Sequence, residues 1–219
     1  MRAYRIYLLR HGLTEANASG RYIGTTDLDL SEDGIARLCA MQSEYEYPGV
    51  GRVYCSPLKR CVQTARLLYP QITPTTVEEL RECSFGVFEN KTAKELSPLP
   101  EYRAWLDGKA LPEGAEDPND FSRRVLAGLD RIVQDMMKDH MTDAAVIAHG
   151  GVIQTILTNC GMPRQVYDKW AVSPGEGYTL LINASLWSNA HIAEVFTPLP
   201  YGKNKDAVML DYQRELPEE

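Results

Sequence analysis

The sequence predicts an α/β fold: a three-layer α/β/α sandwich on a mixed, mainly parallel sheet, with a small helical cap. Three observations carry that expectation. Strand-like and helix-like stretches alternate through most of the 219 residues, the order of a sheet built from βαβ units. Apolar runs such as "IYLL" (6–9) and "AVIA" (145–148) read as buried strands. Cations and imidazoles follow those runs directly, in "LLRHG" and "AHGG", and in open parallel sheets ligands bind at the carboxyl ends of the strands. The length suits one domain over 1–219 with an insertion.

Each element has its own signal. The first strand ends at Arg10-His11-Gly12. In "LSEDGIARLCAMQSEY" Ser31 is an N-cap signal, and Ile35, Leu38, Cys39 and Met41 follow a helical period. "GRVYCS" reads as a second strand, with Ser56-Pro57 as N-cap and first residue of the next helix. Leu58, Cys61, Ala65 and Leu68 make the apolar face of that helix. "TPTTVEEL", rich in β-branched residues, is a third strand candidate. Residues 90–120 hold several prolines and glycines with mixed charges and read as a cap-like excursion with one or two short helices. A long helix follows, with Phe121, Val125, Leu129, Ile132, Val133 and Met136 on one stripe. "DAAVIAHGG" is a strand that ends at His149-Gly150-Gly151, with a helix to about Asn159. "GYTLLIN" and "HIAEVFTPL" close the sheet, and "ELPEE" is a loose acidic tail.

Composition narrows the function. A net charge of −7 argues against a general nucleic-acid or acidic-membrane surface, both of which require a basic face. It leaves room for a small anionic substrate, which needs only a few local cations. No apolar run is long enough to span a bilayer, and the N-terminal stretch lacks signal-peptide features, so a cytoplasmic protein is expected. Five cysteines without a C-x-x-C pair read mostly as small buried hydrophobes in a reducing compartment. Four scattered histidines show no ligand spacing, so neither a metal nor a cofactor is expected.

Four polar signals follow four expected strands: Arg10-His11-Gly12, Ser56 to Arg60, Arg81-Glu82 and His149-Gly150. Singly, a histidine at a strand end is more often structural, Arg60 could be a solvated charge, and Glu82 could be a surface carboxylate. Their shared edge of the sheet favours a common site. Two arginines and two imidazoles around one point suit a dianion, with forked guanidinium bonds to phosphate oxygens. Backbone N–H groups at the helix start after Pro57 and at the turn after His149 would add donors.

The same residues resemble the histidine phosphatase superfamily, which includes the cofactor-dependent phosphoglycerate mutases. "LLRHGLTEAN" is similar to its R-H-G-x-T signature, and "GTTDLDLSEDG" to its G-x-x-D-x-x-L-x-x-x-G segment. "SPLKRCVQTA" resembles the second-arginine segment, "LRECSFGVFENKT" the segment of the acid, "PEGAEDPNDFSRRV" the one ahead of the long helix, and "AHGG" the second-histidine segment. The resemblance implies a phosphoglycerate mutase-like fold. It makes His11 the nucleophile, and Arg10, Arg60 and His149 the holders of the transferring oxygens, with Asn17 and the Gly150 region assisting. Glu82 becomes the general acid and then the base for water, with Glu89 the next candidate. Gly24 and Lys91 are added as substrate contacts.

Cys83-Ser84 stands where the mutases carry basic residues, the insertion before the second histidine is shorter, and "GAED" replaces the more usual G-E-S. These departures favour a phosphomonoesterase over a mutase, although Lys91, Arg103 and Lys109 could add charge from the excursion. The expected function is metal-independent hydrolysis of a small phosphorylated metabolite through phosphohistidine, by a monomer or homodimer. The rivals are a phosphoglycerate mutase-like isomerase, an α-ribazole phosphate phosphatase, and a non-catalytic module that binds a phosphorylated ligand.

Overall fold

The structure is a computed structural model that describes residues 3–203; the acidic "ELPEE" tail lies outside them. In chain order the strands are β1 (Ala3–Arg10), β2 (Tyr45–Glu46), β3 (Arg52–Cys55), β4 (Thr75–Thr76), β5 (Asp143–Ala148), β6 (Gly161–Met162), β7 (Gly177–Asn183), β8 (Ala193–Leu199) and β9 (Tyr201–Gly202). The helices are α1 (Glu15–Ala18), α2 (Glu32–Glu44), α3 (Lys59–Leu68), α4 (Ala93–Leu96), α5 (Pro100–Leu106), α6 (Pro118–Lys138), α7 (Gly150–Cys160) and α8 (Ala184–Ala190).

Seven strands form one sheet in the order β4-β3-β5-β1-β7-β8-β6, and β2 pairs with β9 apart from it. β4, β3, β5 and β1 run parallel, while β7 is antiparallel to both of its neighbours. The mixed, mainly parallel sheet expected from the sequence is therefore present. Side-chain alternation produces the layers. Ile6, Leu8, Ala144, Val146 and Ala148 enter one core with α6 and α7. Tyr7, Leu9, Ala145 and Ile147 enter the other, against Leu38 of α2 and Cys61, Ala65 and Leu68 of α3. Both faces of β1 and β5 are thus dry, which is why these strands read as unbroken apolar runs. All six residues of the expected α6 stripe are buried.

Three expectations change. Ser56-Pro57 does not start a helix: α3 begins at Lys59 with Leu58 at the N-cap and no side-chain cap. Ser56 Oγ instead pairs with the ring of His149, and the Lys59 N–H is taken by Asp27 Oδ1 at 2.7 Å. "TPTTVEEL" forms only the two-residue β4, then a 3-10 turn over Glu78–Leu80. Val77 and Leu80 are both buried, and that three-residue spacing suits a helical turn, not a strand. In α2 only Gly34 and Leu38 are buried; Ile35 and Cys39 face solvent, so its core contact is narrower than the apolar period suggests.

The excursion contains α4 and α5. Leu96 and Tyr102 bury with Phe88 in a third small core, flanked by Tyr22, Phe85 and Trp105.

Candidate active site

Strand register brings the polar signals together. Arg10 of β1 is paired with Ala148 of β5, and the His11 N–H donates to the Ala148 carbonyl at 2.9 Å. On the other side of β5, the Ser56 N–H donates to the Ile147 carbonyl at 3.0 Å. His11, His149 and Ser56 therefore leave three adjacent strands side by side. The two imidazoles meet edge to face, with ring centroids 5.1 Å apart.

His11 is buried, and its Nδ1–H donates to the Gly12 carbonyl at 2.7 Å. A carbonyl can only accept, so the proton sits on Nδ1 and the lone pair on Nε2. Burial, then Arg60 and Arg10, hold the His11 pKa well below the usual imidazole range. His149 is fixed as completely. Its Nδ1 accepts from Arg60 Nε at 3.2 Å, and Nε2 lies 2.8 Å from Ser56 Oγ. Burial, His11 and the nearby arginines keep this ring neutral as well.

Arg60 is 1% exposed. Besides His149 it donates to the carbonyls of Thr26 (2.8 Å) and Gly24 (2.7 Å), which leaves two of the five guanidinium donors open. Arg10 donates through Nη1 to the Val172 carbonyl at 2.7 Å. Its Nε is buried without a partner among the described residues. A buried donor left open is costly, and an anion here would satisfy it. Gly150 lies against this guanidinium: a Cβ on it would sit 3.6 Å from Arg10 Cζ.

Glu82 is buried, with Oε1 accepting from the Cys83 N–H and Oε2 from the Gly151 N–H, each at 3.0 Å. Burial raises its pKa above the usual carboxylate range, opposed by those two amides and by Arg60 and Arg10. Asn17 is held by Thr14, whose hydroxyl donates to Asn17 Oδ1 at 2.9 Å and accepts the Asn17 N–H at 3.2 Å.

The remaining sequence candidates separate. Gly24 supports Arg60 through its carbonyl and approaches Cys83 so closely that a Cβ would lie 1.7 Å from the Cys83 carbonyl oxygen. Lys91 is exposed, and its carbonyl accepts the Tyr22 N–H; among the described residues its ammonium makes no hydrogen bond or ion pair with the cluster. Glu89 accepts from the N–H groups of Gly24, Thr25, Thr26 and Phe85 and from the Thr26 hydroxyl. Its carboxylate is a clamp on the loop behind Arg60.

Sequence reasoning missed two supports. Ser56 carried an N-cap signal that concealed its pairing with His149. Arg124 uses all five donors, on both oxygens of Glu116 and on the carbonyls of Glu79, Arg81 and Glu82, and so fixes the backbone that carries Glu82. No motif announces such a role. Among the described residues, no group of three His, Cys, Asp or Glu side chains is placed to hold a metal ion, and no helix is long and apolar enough to cross a membrane.

The sequence model of the histidine phosphatase superfamily (branch 1) matches residues 6–194. The chain belongs to this superfamily. It is 31% identical over 159 residues, 70% of this chain and 77% of the relative, to the adenosylcobalamin/α-ribazole phosphatase of Salmonella typhimurium. It is 30% identical over 167 residues, 73% of this chain and 76% of the relative, to a probable phosphoglycerate mutase of Yersinia pestis. A putative α-ribazole-5'-P phosphatase structure from Escherichia coli superposes with a TM-score of 0.73 at 28% identity, over 92% of this chain and 97% of that one. A phosphoglycerate mutase from Bacillus anthracis shares the fold, with a TM-score of 0.70 at 22% identity, over 89% and 92%. The histidine phosphatase fold thus carries this cluster at the carboxyl ends of β1, β3 and β5.

Proposed function

We propose that this histidine phosphatase is a metal-independent phosphomonoesterase that acts on a small phosphorylated metabolite through a phosphohistidine on His11. The observation that carries the reading is the neutral His11 ring, with Nδ1–H pinned on Gly12 and the lone pair on Nε2, beside two arginines with open donors. Phosphoryl transfer requires in-line positioning and charge stabilisation above all. Nε2 attacks phosphorus and the P–O ester bond breaks. Arg10, Arg60 and the Asn17 side chain hold the equatorial oxygens, and His149, its ring fixed between Arg60 and Ser56, keeps the Arg60 guanidinium in place. Glu82, whose hold on a proton is strengthened by burial, gives that proton to the departing alkoxide. The resulting carboxylate then takes a proton from water, whose oxygen attacks phosphorus as the P–N bond breaks.

The names of the phosphatase relatives support hydrolysis and make α-ribazole phosphate one candidate substrate. A mutase relative keeps isomerisation as the second reading, but Cys83-Ser84 beside Glu82 supplies no cation for a second anionic group. The cytoplasmic setting and the monomeric or homodimeric state belong to the same proposal.

The test is a panel of phosphomonoesters without a bisphosphorylated primer. Phosphate release is expected, undiminished by exhaustive chelation and inhibited by vanadate. Efficient conversion of 3-phosphoglycerate to 2-phosphoglycerate with little phosphate released would favour the isomerase, and a strict requirement for added metal would overturn metal independence.

A further inference from the structure

Glu82 and Gly151 are among the residues that line a cavity of about 470 Å³, within the range of small-molecule sites. Segments 105–118, α6 and α7 enclose it. Phe85, Trp105, Leu111, Phe121 and Tyr167 give it an apolar, largely aromatic wall. Among the described residues, no lysine, arginine or histidine lines it, and the excursion cations Lys91, Arg103 and Lys109 are absent from its walls. The ionisable carboxyl groups are Glu82 and Glu116. Glu116 is paired through both oxygens with Arg124, at 2.6 and 2.7 Å, whose donors are all in use. Thr158 also lines the cavity, and its Oγ1 is buried without a partner among the described residues.

We infer that this cavity receives the alcohol part of the ester and selects an uncharged, ring-bearing alcohol over one that carries a carboxylate. The inference rests on the phosphatase reading, because Glu82 is the residue shared by the cavity and the phosphate cluster. Aromatic walls favour a flat apolar group, through burial and edge or face contacts. A carboxylate brought here would lose water, meet no cation and lie near two other carboxyl groups.

The test compares three primary alkyl esters, so that the leaving-group chemistry stays alike: ethyl phosphate, 2-phenylethyl phosphate and the phosphate ester of 3-hydroxypropanoate. In the native protein kcat/KM for the phenylethyl ester should exceed that for the carboxylate ester by about 10- to 200-fold, the span a hydrophobic pocket supplies. Ser122→Lys places a cation on the cavity wall and should narrow the ratio by raising the rate with the carboxylate ester. Leu111→Ala, at a position 45% exposed and tolerant of truncation, should narrow it by raising KM for the phenylethyl ester more than for ethyl phosphate. Equal kcat/KM for the ring and carboxylate esters, or a ratio that neither variant moves, would overturn the inference while leaving the phosphatase reading intact. No phosphate released from any of the three, ethyl phosphate included, would overturn the phosphatase reading and the inference with it.

Discussion

Arg60 donates through Nε to Nδ1 of His149 at 3.2 Å. A guanidinium N–H cannot accept, so this bond places the His149 proton on Nε2, which Ser56 Oγ receives at 2.8 Å. The ring is neutral, and two groups from opposite ends of the β3–α3 connection fix its orientation. Ser56→Ala would leave a buried N–H without its acceptor, a loss of about 1–3 kcal/mol. A ring free to shift also misplaces Arg60, and small misplacements cost up to about 100-fold in rate. Thermal denaturation and steady-state kinetics should both register the change. An unaltered Tm together with an unaltered kcat/KM would mean that Ser56 does not hold His149.

His11→Ala should abolish turnover, because no other imidazole in the cluster carries a free lone pair: His149 has both nitrogens engaged. Quenching after mixing with labelled substrate should trap an acid-labile, base-stable phosphoprotein on the native chain alone. Equal labelling of the native and mutant chains would remove the assignment.

Glu82→Gln should act according to leaving group. An alkyl alkoxide requires a proton, and a positioned acid contributes about 10²- to 10⁴-fold, whereas p-nitrophenolate departs without one. Single-turnover bursts should therefore slow strongly with an alkyl phosphate and mildly with p-nitrophenyl phosphate. Steady-state rates could conceal this, since phosphohistidine hydrolysis also requires a base. Equal slowing would exclude Glu82 as the acid. Glu89, the alternative read from the sequence, already accepts from four amides and a hydroxyl. Glu89→Gln should lower Tm and leave the ratio of the two bursts as it is.

What was legible in the sequence follows from what is local. Ile6 and Leu8 enter one core while Tyr7 and Leu9 enter the other, so burial on both faces is written directly as an unbroken apolar run. The α6 stripe is equally direct, because helical periodicity needs no knowledge of the partner. Ser56 misleads for the opposite reason. Ser-Pro is a genuine helix-start signal, and only a contact 93 positions away diverts its hydroxyl to His149. Glu82 and Glu89 sit in the same short segment, and nothing local distinguishes an acid under the arginines from a clamp on Gly24 to Thr26. Arg124 bonds chiefly to backbone carbonyls, which every residue has, so its partners leave no trace in composition or spacing.

Burial of three titratable groups also makes stability depend on pH, with opposing signs. His11 and His149 have folded pKa values well below the ordinary 6.5. Below about 6.5 the unfolded chain takes up protons that the folded chain refuses, so their contribution is fully present above that pH and is lost as pH falls. Glu82 has a folded pKa above its ordinary 4.5. Between the two values the folded chain holds the extra proton, so its contribution is present below 4.5 and is lost as pH rises. Each fully effective group changes the unfolding free energy by about 1.4 kcal/mol per pH unit. Above pH 4.5, as far as the raised pKa of Glu82 reaches, and below 6.5 the histidines and Glu82 therefore oppose one another. His149→Gln should flatten the acid-side fall in stability, and Glu82→Gln should steepen it while raising stability at neutral pH. Urea denaturation of the three chains at half-unit pH steps reads both effects. If Glu82→Gln gives a slope no steeper than the native one, the carboxyl of Glu82 is not held in its protonated form by the fold.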